Sequence, residues 1–414
     1  MLGRKASLAV APKNLSLSAR IKRSIMSSIE LFAGAGGLAM GMARAGFRHS
    51  AVVEWNDDAC QTIRENRSHY AATGQDFLLF EGDARSFDFQ PYIGEVEIIS
   101  GGPPCQPFSL GGKHGGNLDE RDMFPTAVQA VRETKPRAFI FENVKGLLRQ
   151  SFASYFEYVY LQLSYPEVVR RKEETWAEHL TRLEGLHTSG KVKPAYNVVF
   201  RLLNAADYGV PQKRERVFLV GFRADLEVQW SFPEPTHSED ELLIAKWVSG
   251  SYWDEHKVRV RGRPRPPEKL TKRISQLART LEGNKRLLRW ATVRDAITGL
   301  PDPEKPTLFR VPNHTFNPGA RSYPGHTGSP MDEPAKTLKA GNHGVPGGEN
   351  MLVRMDGSVR YFTVREAARI QTFPDDYVFH GSWSDTMKQL GNAVPVRLAE
   401  VVASSVAAAL KGKN

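Results

Sequence analysis

Short apolar runs, each followed by a turn and then a helical stretch, set the pattern of this chain from residue 26 to about 222. The runs SSIELF at 27–32, AVV at 51–53, FLLF at 77–80, VEIIS at 96–100 and AFIF at 138–141 are too short for buried helices and lead into polar or helical segments. YNVVFRLL at 196–203 and RVFLVGF at 216–222 bring the number of strands to about seven. Residues 152–188 read as one or two helices broken at Pro166. Alternation of this kind predicts an α/β fold, Rossmann-like, built on a mostly parallel sheet and occupying residues 26–222.

Beyond residue 222 the pattern changes. Residues 223–362 read as a second, smaller domain with a basic stretch at 238–290 and an irregular region at 300–350 rich in Pro, Gly, His and Asn. A compact domain keeps so long an irregular region mainly for a function. Regular periodicity returns at 363–414 and ends in VPVRLAEVVASSVAAALKG, a helix expected to pack back on the first domain.

Composition sharpens this reading at three points. Hydrophobic residues at 41% and charged residues at 25% are globular values, and no apolar run approaches the length of a membrane span, so the expectation is a cytoplasmic protein with no membrane partner. Cys60 and Cys105 fit neither a disulfide framework nor a zinc site, and His114, His256, His314, His326 and His343 show no ligand spacing, so no metal is expected. The net charge of +10 is unevenly placed: residues 1–29 carry six bases and no acid, and 257–290 carry twelve bases and two acids, leaving the remainder acidic. That distribution points to a polyanionic partner met at defined places, or to a solvated tail and a solvated insertion. Residues 1–25 have the composition of a transit peptide but no amphipathic periodicity, and read as a disordered basic tail.

The ends of the strands carry the candidate chemistry, because ligands of open α/β sheets sit beyond the carboxyl ends of the strands. After the first strand come Gly34, Gly36 and Gly37, which serve either a tight turn or a close approach of backbone to ligand. After the second come Glu54, placed for ribose hydroxyls, and Trp55, placed to stack on a base. After the third, Asp83 can accept from an exocyclic amine. G-x-G-x-x-G is incomplete and no G-K-[ST] is present, so this is a nucleoside site without phosphate machinery, favouring S-adenosylmethionine over NAD or ATP. After the fourth strand, Cys105 lies in the stiff loop GGPPCQPFS, a setting for a nucleophile rather than a core thiol, and after the fifth comes Glu142.

Taken in order, ELFAGAGG, VVEWN, GDAR, GGPPCQPFS, FENVKGLL, QKRER, REAARIQTFPDDY and GNAVPVRLAE resemble the motifs of the DNA (cytosine-5)-methyltransferase family, of bacterial restriction-modification type, over about residues 28–410. The resemblance implies an S-adenosyl-L-methionine-dependent methyltransferase fold with a target-recognition domain. It implies chemistry by Cys105, Glu142, Arg214 and Arg216, and cofactor contacts by Phe32, Gly34, Gly37, Glu54, Trp55, Asp83, Ala84, Pro104 and Asn392. DNA contacts fall to Gln106, Ser109 and the Thr337 of Lys336-Thr337-Leu338. Glu30 stands where many members have Asp, and the 238–290 stretch is longer than in compact members.

The residue types suit the reaction so implied. Cytosine C5 is a poor nucleophile until a thiolate adds at C6, a proton at N3 eases that addition, and a fixed cation near O2 takes the developing charge. A base inside a duplex is out of reach and must be flipped out. The implied partners are double-stranded DNA and a nuclease acting on the same sites, with the protein a monomer. Two other readings are a transfer-RNA methyltransferase of the same superfamily and a non-catalytic DNA-binding member.

Overall fold

Apolar side chains on both faces of a strand force it between two layers of helices, and the first strand shows this. In the computed structural model, which describes residues 26–70, 76–104, 122–279, 287–308, 310–324, 327–340 and 350–412, β1 (Met26–Leu31) buries all but one of its residues. The basic tail 1–25 lies outside the described residues, as do Cys105, Gln106 and Ser109. The chain continues through α1 (Gly37–Arg44), β2 (Phe47–Glu54), α2 (Asp57–Glu65), β3 (Leu78–Glu81), β4 (Ile98–Gly101), α3 (Phe124–Thr134) and β5 (Ala138–Val144). It then forms α4 (Ala153–Ser164), α5 (Trp176–Ser189), β6 (Tyr196–Asn204) and β7 (Glu215–Arg223).

These strands form one sheet in the order β3-β2-β1-β4-β5-β7-β6, parallel from β3 to β5, with β7 running antiparallel between β5 and β6. The order reverses between β1 and β4, and that switch point opens the crevice where an α/β sheet takes its ligand. The seven strands coincide with the seven apolar runs of the sequence. β2 starts earlier than its run because buried Phe47 and His49 alternate with half-buried Arg48 and Ser50. The break expected near Pro166 is real: α4 stops at Ser164, and α5 begins at a capping box made by Thr175 and Glu178.

The second half is built from β8 (His237–Ser238), α6 (Glu239–Leu243), α7 (Ser251–Glu255), α8 (Thr271–Arg279), β9 (Leu288–Arg289) and α9 (Val293–Ile297). It ends with β10 (Ser329–Pro330), β11 (Met351–Val353), β12 (Val359–Tyr361), α10 (Val364–Ile370), α11 (Trp383–Asn392) and α12 (Val396–Lys411). Residues 383–411 are long and apolar enough to span a membrane by composition alone, but the segment is broken between α11 and α12, and its apolar face is core. Leu398, Val402, Val406 and Leu410 of α12 are fully buried against α1 and the sheet. Gly41 permits that contact, since a Cβ there would fall 2.3 Å from the Ala399 Cβ.

The 238–290 stretch carries its own small core. Leu242, Tyr252, Trp253 and Trp290 pack together with Ala206. Buried Lys246 reaches from this cluster to Glu333, with Nζ 2.6 Å from its carboxylate and 2.9 Å from the Asp332 carbonyl, under the rings of Trp247, Tyr252 and Trp253. A charge this buried needs such partners, so Lys246 fastens the stretch to the segment before Lys336.

Glu30 is a further buried ionisable group. It lies opposite Ser100 in the β1–β4 pairing and accepts that hydroxyl's hydrogen bond, while burial pushes its pKa up to about 8 from 4.5. Between those values the unfolded chain is ionised while the folded one keeps its proton, so stability is lost as pH rises through the window. The expected size is on the order of 1 kcal/mol per pH unit. Denaturant unfolding at acid, neutral and mildly alkaline pH checks this: Glu30→Gln should lack that decline, and parallel curves for the two proteins would remove Glu30 as its source.

Candidate active site

The turn leaving β1 is held in an unusual backbone shape. Phe32, Gly34 and Gly36 have φ of 56°, 54° and 75°. The glycines adopt this region freely, whereas Phe32 does so at a cost on the order of 1 kcal/mol, which the surroundings must offset. A Cβ on Gly34 would meet nothing within 4 Å, so the turn faces open space there. Beneath it, a Cβ on Gly36 would fall 1.9 Å from the Tyr70 Oη, and one on Gly37 2.2 Å from the Val394 carbonyl oxygen. Only glycine fits between the turn and what supports it.

The support is a tyrosine pair that sequence reasoning missed. The Tyr377 hydroxyl donates to the Ala35 carbonyl at 2.7 Å and lies 2.5 Å from the Tyr70 hydroxyl. Both rings are buried. The available signal was the final Tyr of FPDDY, far along the chain from the turn it holds.

Glu54, at the end of β2, clamps the turn from the other side. Its carboxylate accepts the Gly34 N–H at 2.7 Å on one oxygen and the Trp55 and Asn56 N–H groups at 3.0 and 2.9 Å on the other. Burial raises its pKa, and the three backbone donors oppose the rise. Trp55 beside it is 75% exposed, leaving its ring free to stack. Asp83, at the end of β3, caps the turn that begins at buried Ala84, and the Arg85 guanidinium holds its carboxyl below the usual range. An amine reaching Asp83 must share it with Arg85.

Beyond β4 the flanks of the cysteine segment are tied down. The Asn143 side chain donates to the Pro103 carbonyl at 2.9 Å, and the Met123 N–H donates to the carbonyl of exposed Pro104 at 3.0 Å. Next to Met123, Asp122 accepts from the Tyr155 hydroxyl at 2.6 Å and from the Phe124 N–H at 3.1 Å. None of Asp122, Asn143 or Tyr155 was singled out from the sequence; Asn143 was readable only as the neighbour of Glu142.

Glu142 and Arg216 come together across the β5–β7 pairing, with Oε1 2.8 Å from Nε. The contact is an ion pair without hydrogen-bond alignment, and that buried oxygen has no hydrogen-bond partner among the described residues. Burial pushes the Glu142 pKa up, while Arg216 and Arg214 pull it down. Gly102 leaves room beside it, since a Cβ there would stand 3.4 Å from Oε2.

Arg214, expected to share the chemistry of Arg216, is instead fully buried and turned into the protein. It donates to the carbonyls of Leu338, Gly391 and Ala393 at 3.2, 2.7 and 2.9 Å. Burial and Arg216 lower its pKa, and Glu142 raises it. Buried Gln212 works alongside, accepting from the Leu338 N–H and donating to Gln371. Thr337 sits in the same seam, its hydroxyl donating to the Lys213 carbonyl at 2.8 Å. Asn392 is exposed at the end of α11, between the Gly391 and Ala393 carbonyls that Arg214 holds.

The reversal of strand order at β1–β4, the open glycine turn, and a β2 carboxylate beside an exposed indole form the nucleoside-binding end of an α/β sheet, here that of an S-adenosylmethionine-dependent methyltransferase. Phe32, Gly34, Glu54, Trp55 and Asp83 lie together beyond the carboxyl ends of β1, β2 and β3, where a cofactor of this class would be held, and the open space at Gly34 is compatible with one. The chain belongs to the C-5 cytosine-specific DNA methylase family, whose profile matches residues 26–165 and 170–408. It is 32% identical to the Type II methyltransferase M.NgoMIV of Neisseria gonorrhoeae, covering 94% of this chain and 99% of that protein. It is also 32% identical to the Type II methyltransferase M.Eco47II of Escherichia coli, covering 94% and 80%. Among solved structures, the fold matches a protein described as a DNA modification methyltransferase encoded within an E. coli prophage, with a TM-score of 0.56, 20% identity and coverage of 93% and 99%. The Dnmt2 methyltransferase of S. pombe matches with a TM-score of 0.51, 15% identity and coverage of 94% and 99%.

Two outcomes are expected from this geometry. Tyr377→Phe should weaken S-adenosylmethionine binding about five-fold, the worth of one hydrogen bond, while DNA affinity holds; calorimetric titration with each ligand checks the split. Arg214→Lys should cost on the order of 3 kcal/mol of stability, because a single ammonium cannot span the three carbonyls that the guanidinium fork holds. Arg216→Lys should instead cost clearly less stability, because it keeps one cation beside Glu142, and lower turnover, and equal melting losses in both variants would contradict the difference in position.

Proposed function

We propose that this protein methylates C5 of a cytosine flipped out of a specific double-stranded DNA sequence, through a covalent bond between Cys105 and C6. The observation that supports it best is the buried Glu142–Arg216 pair, close to the Pro103–Pro104 anchor from which Cys105 follows. In this reading the Cys105 thiolate adds to C6, and the C5–C6 π electrons move toward C5. Glu142, its pKa raised by burial, supplies or shares the proton at N3, and Arg216 donates toward O2 as charge gathers there. S-adenosylmethionine, bound at the glycine turn, supplies the electrophilic methyl group. Solvent water takes the C5 proton, its electron pair re-forms the C5–C6 double bond, and the Sγ–C6 bond breaks to restore the Cys105 thiolate. Gln106, Ser109 and Thr337 contact the DNA, and Arg214 positions Arg216 and the recognition segment rather than touching the base.

Relatives named Type II methyltransferases support a setting in bacterial restriction-modification; to this the proposal adds a cognate nuclease acting on the same sites and a monomeric, cytoplasmic enzyme. Duplex DNA bearing 5-fluorocytosine at the target tests the chemistry, because fluorine cannot leave as a proton does. Wild type should be trapped covalently and Cys105→Ala not at all, while Glu142→Gln should form the adduct about a hundred-fold more slowly or worse. Trapping by Cys105→Ala would overturn the nucleophile, and labelling of transfer RNA alone in a parallel assay would overturn the substrate.

A further inference from the structure

The basic stretch contains a run that the site does not use. From Lys257 to Arg279 there are nine bases and a single acid, Glu268. Arg263 is paired with Asp254, and Arg273 with Glu239 and Asp240. The other cations of the run form no ion pair with any described residue, and Arg259, Arg261, Arg265 and Lys269 are exposed. Clustered cations without counter-charge repel one another, so the run is held against its own electrostatics. Pro264, Pro266 and Pro267 keep this part extended and the charges spread along it.

Its attachment fixes where it lies. Val258 packs on the Trp253–Trp290 cluster at one end. At the other, Arg273 of α8 reaches Glu239 at 2.9 Å, and Glu239 reaches Lys213 Nζ at 3.0 Å. Lys213 stands immediately before Arg214 and Arg216, and its carbonyl receives the Thr337 hydroxyl. Two ion pairs therefore join the run to the segment that carries Arg216 and to the recognition seam. The run is therefore anchored beside the segment that carries Arg216.

We propose that the exposed run 257–279 is a second, sequence-independent DNA contact, which grips phosphates of the duplex beside the target site. The proposal rests on the DNA-methylation reading and adds a surface to it. Each phosphate neutralised releases condensed counterions, so a plot of log affinity against log salt should steepen by about 0.9 per contact. A flanking contact needs flanking duplex.

The test combines Arg259→Gln, Arg261→Gln, Arg265→Gln and Lys269→Gln, all exposed and away from the catalytic pair. Binding is measured across a salt series on a long duplex and on one barely longer than the target. With the long duplex, affinity at low salt should fall about ten-fold or more and the slope should flatten by about 2 to 4. With the short duplex, affinity, slope and trapping at 5-fluorocytosine should match wild type. An unchanged slope on the long duplex overturns the proposal, and so does an equal loss on both, which would put the run at the target itself. Failure of wild type to trap on the short duplex would overturn the methylation reading instead, and the two failures are thereby told apart.

Discussion

The guanidinium of Arg214 is the constraint on which the site depends. A buried cation facing no carboxylate of its own is costly, and its charge is spread over three carbonyl oxygens drawn from two distant parts of the chain. Two of these, from Gly391 and Ala393, belong to the C-terminal end of α11, where carbonyls lack helical partners and the helix dipole favours a cation. The third, from Leu338, brings in the segment that carries Thr337. Gly391 completes the junction, since a Cβ there would meet the Ala340 nitrogen at 2.4 Å. One side chain thus sets the distance between the strand bearing Arg216, the segment bearing Thr337 and the C-terminal layer that presses on the glycine turn.

That junction explains which parts of the molecule were legible in the sequence. The seven strands were, because short apolar runs between turns have one solution when both faces are covered. The pairing of Gly34 with Glu54 was legible as a spacing, though its use was not: the carboxylate spends three acceptor positions on backbone N–H groups to shape the turn. The arginines of QKRER looked equivalent because they are two residues apart on one side of an extended segment. What separates them is depth, and depth is set by carbonyls more than a hundred residues away in sequence. The same holds for Tyr377, visible within a motif but not as the prop under Ala35. In the 238–290 stretch charge obscured the aromatic pattern, so Trp247, Tyr252, Trp253 and Trp290 were not read as a core.

Burial orders the acids of the site by task. Glu30, Glu54 and Glu142 all have raised pKa values because each is removed from water, whereas Asp83 is lowered by exposed Arg85. Their partners differ in what they leave available. Glu30 faces a single hydroxyl inside the sheet, and Glu54 is saturated by backbone. Glu142 has an arginine at contact distance but no aligned donor on Oε1, and a neighbouring glycine keeps the space beside it clear. In the proposed reaction a buried carboxyl left in this state can hold or pass a proton at a ring nitrogen placed next to it, and a fully bonded one would resist doing so.

The distribution of charge follows from the same demands. Cations that must act at short range are buried and few, and each is held by carbonyls or by one acid: Arg214, Arg216 and Lys246. If the long-range attraction for a polyanion were placed there too, unpaired cations beside Glu142 would drag its pKa down and remove the proton it is suited to carry. Placing the uncompensated cations on an exposed, proline-stiffened run avoids this, because solvent and salt screen them from the carboxyl within about 10 Å. The acidic balance of the motif-bearing body is therefore compatible with a DNA enzyme. In the proposed reading, burial keeps the proton on Glu142 while a separate surface supplies the attraction.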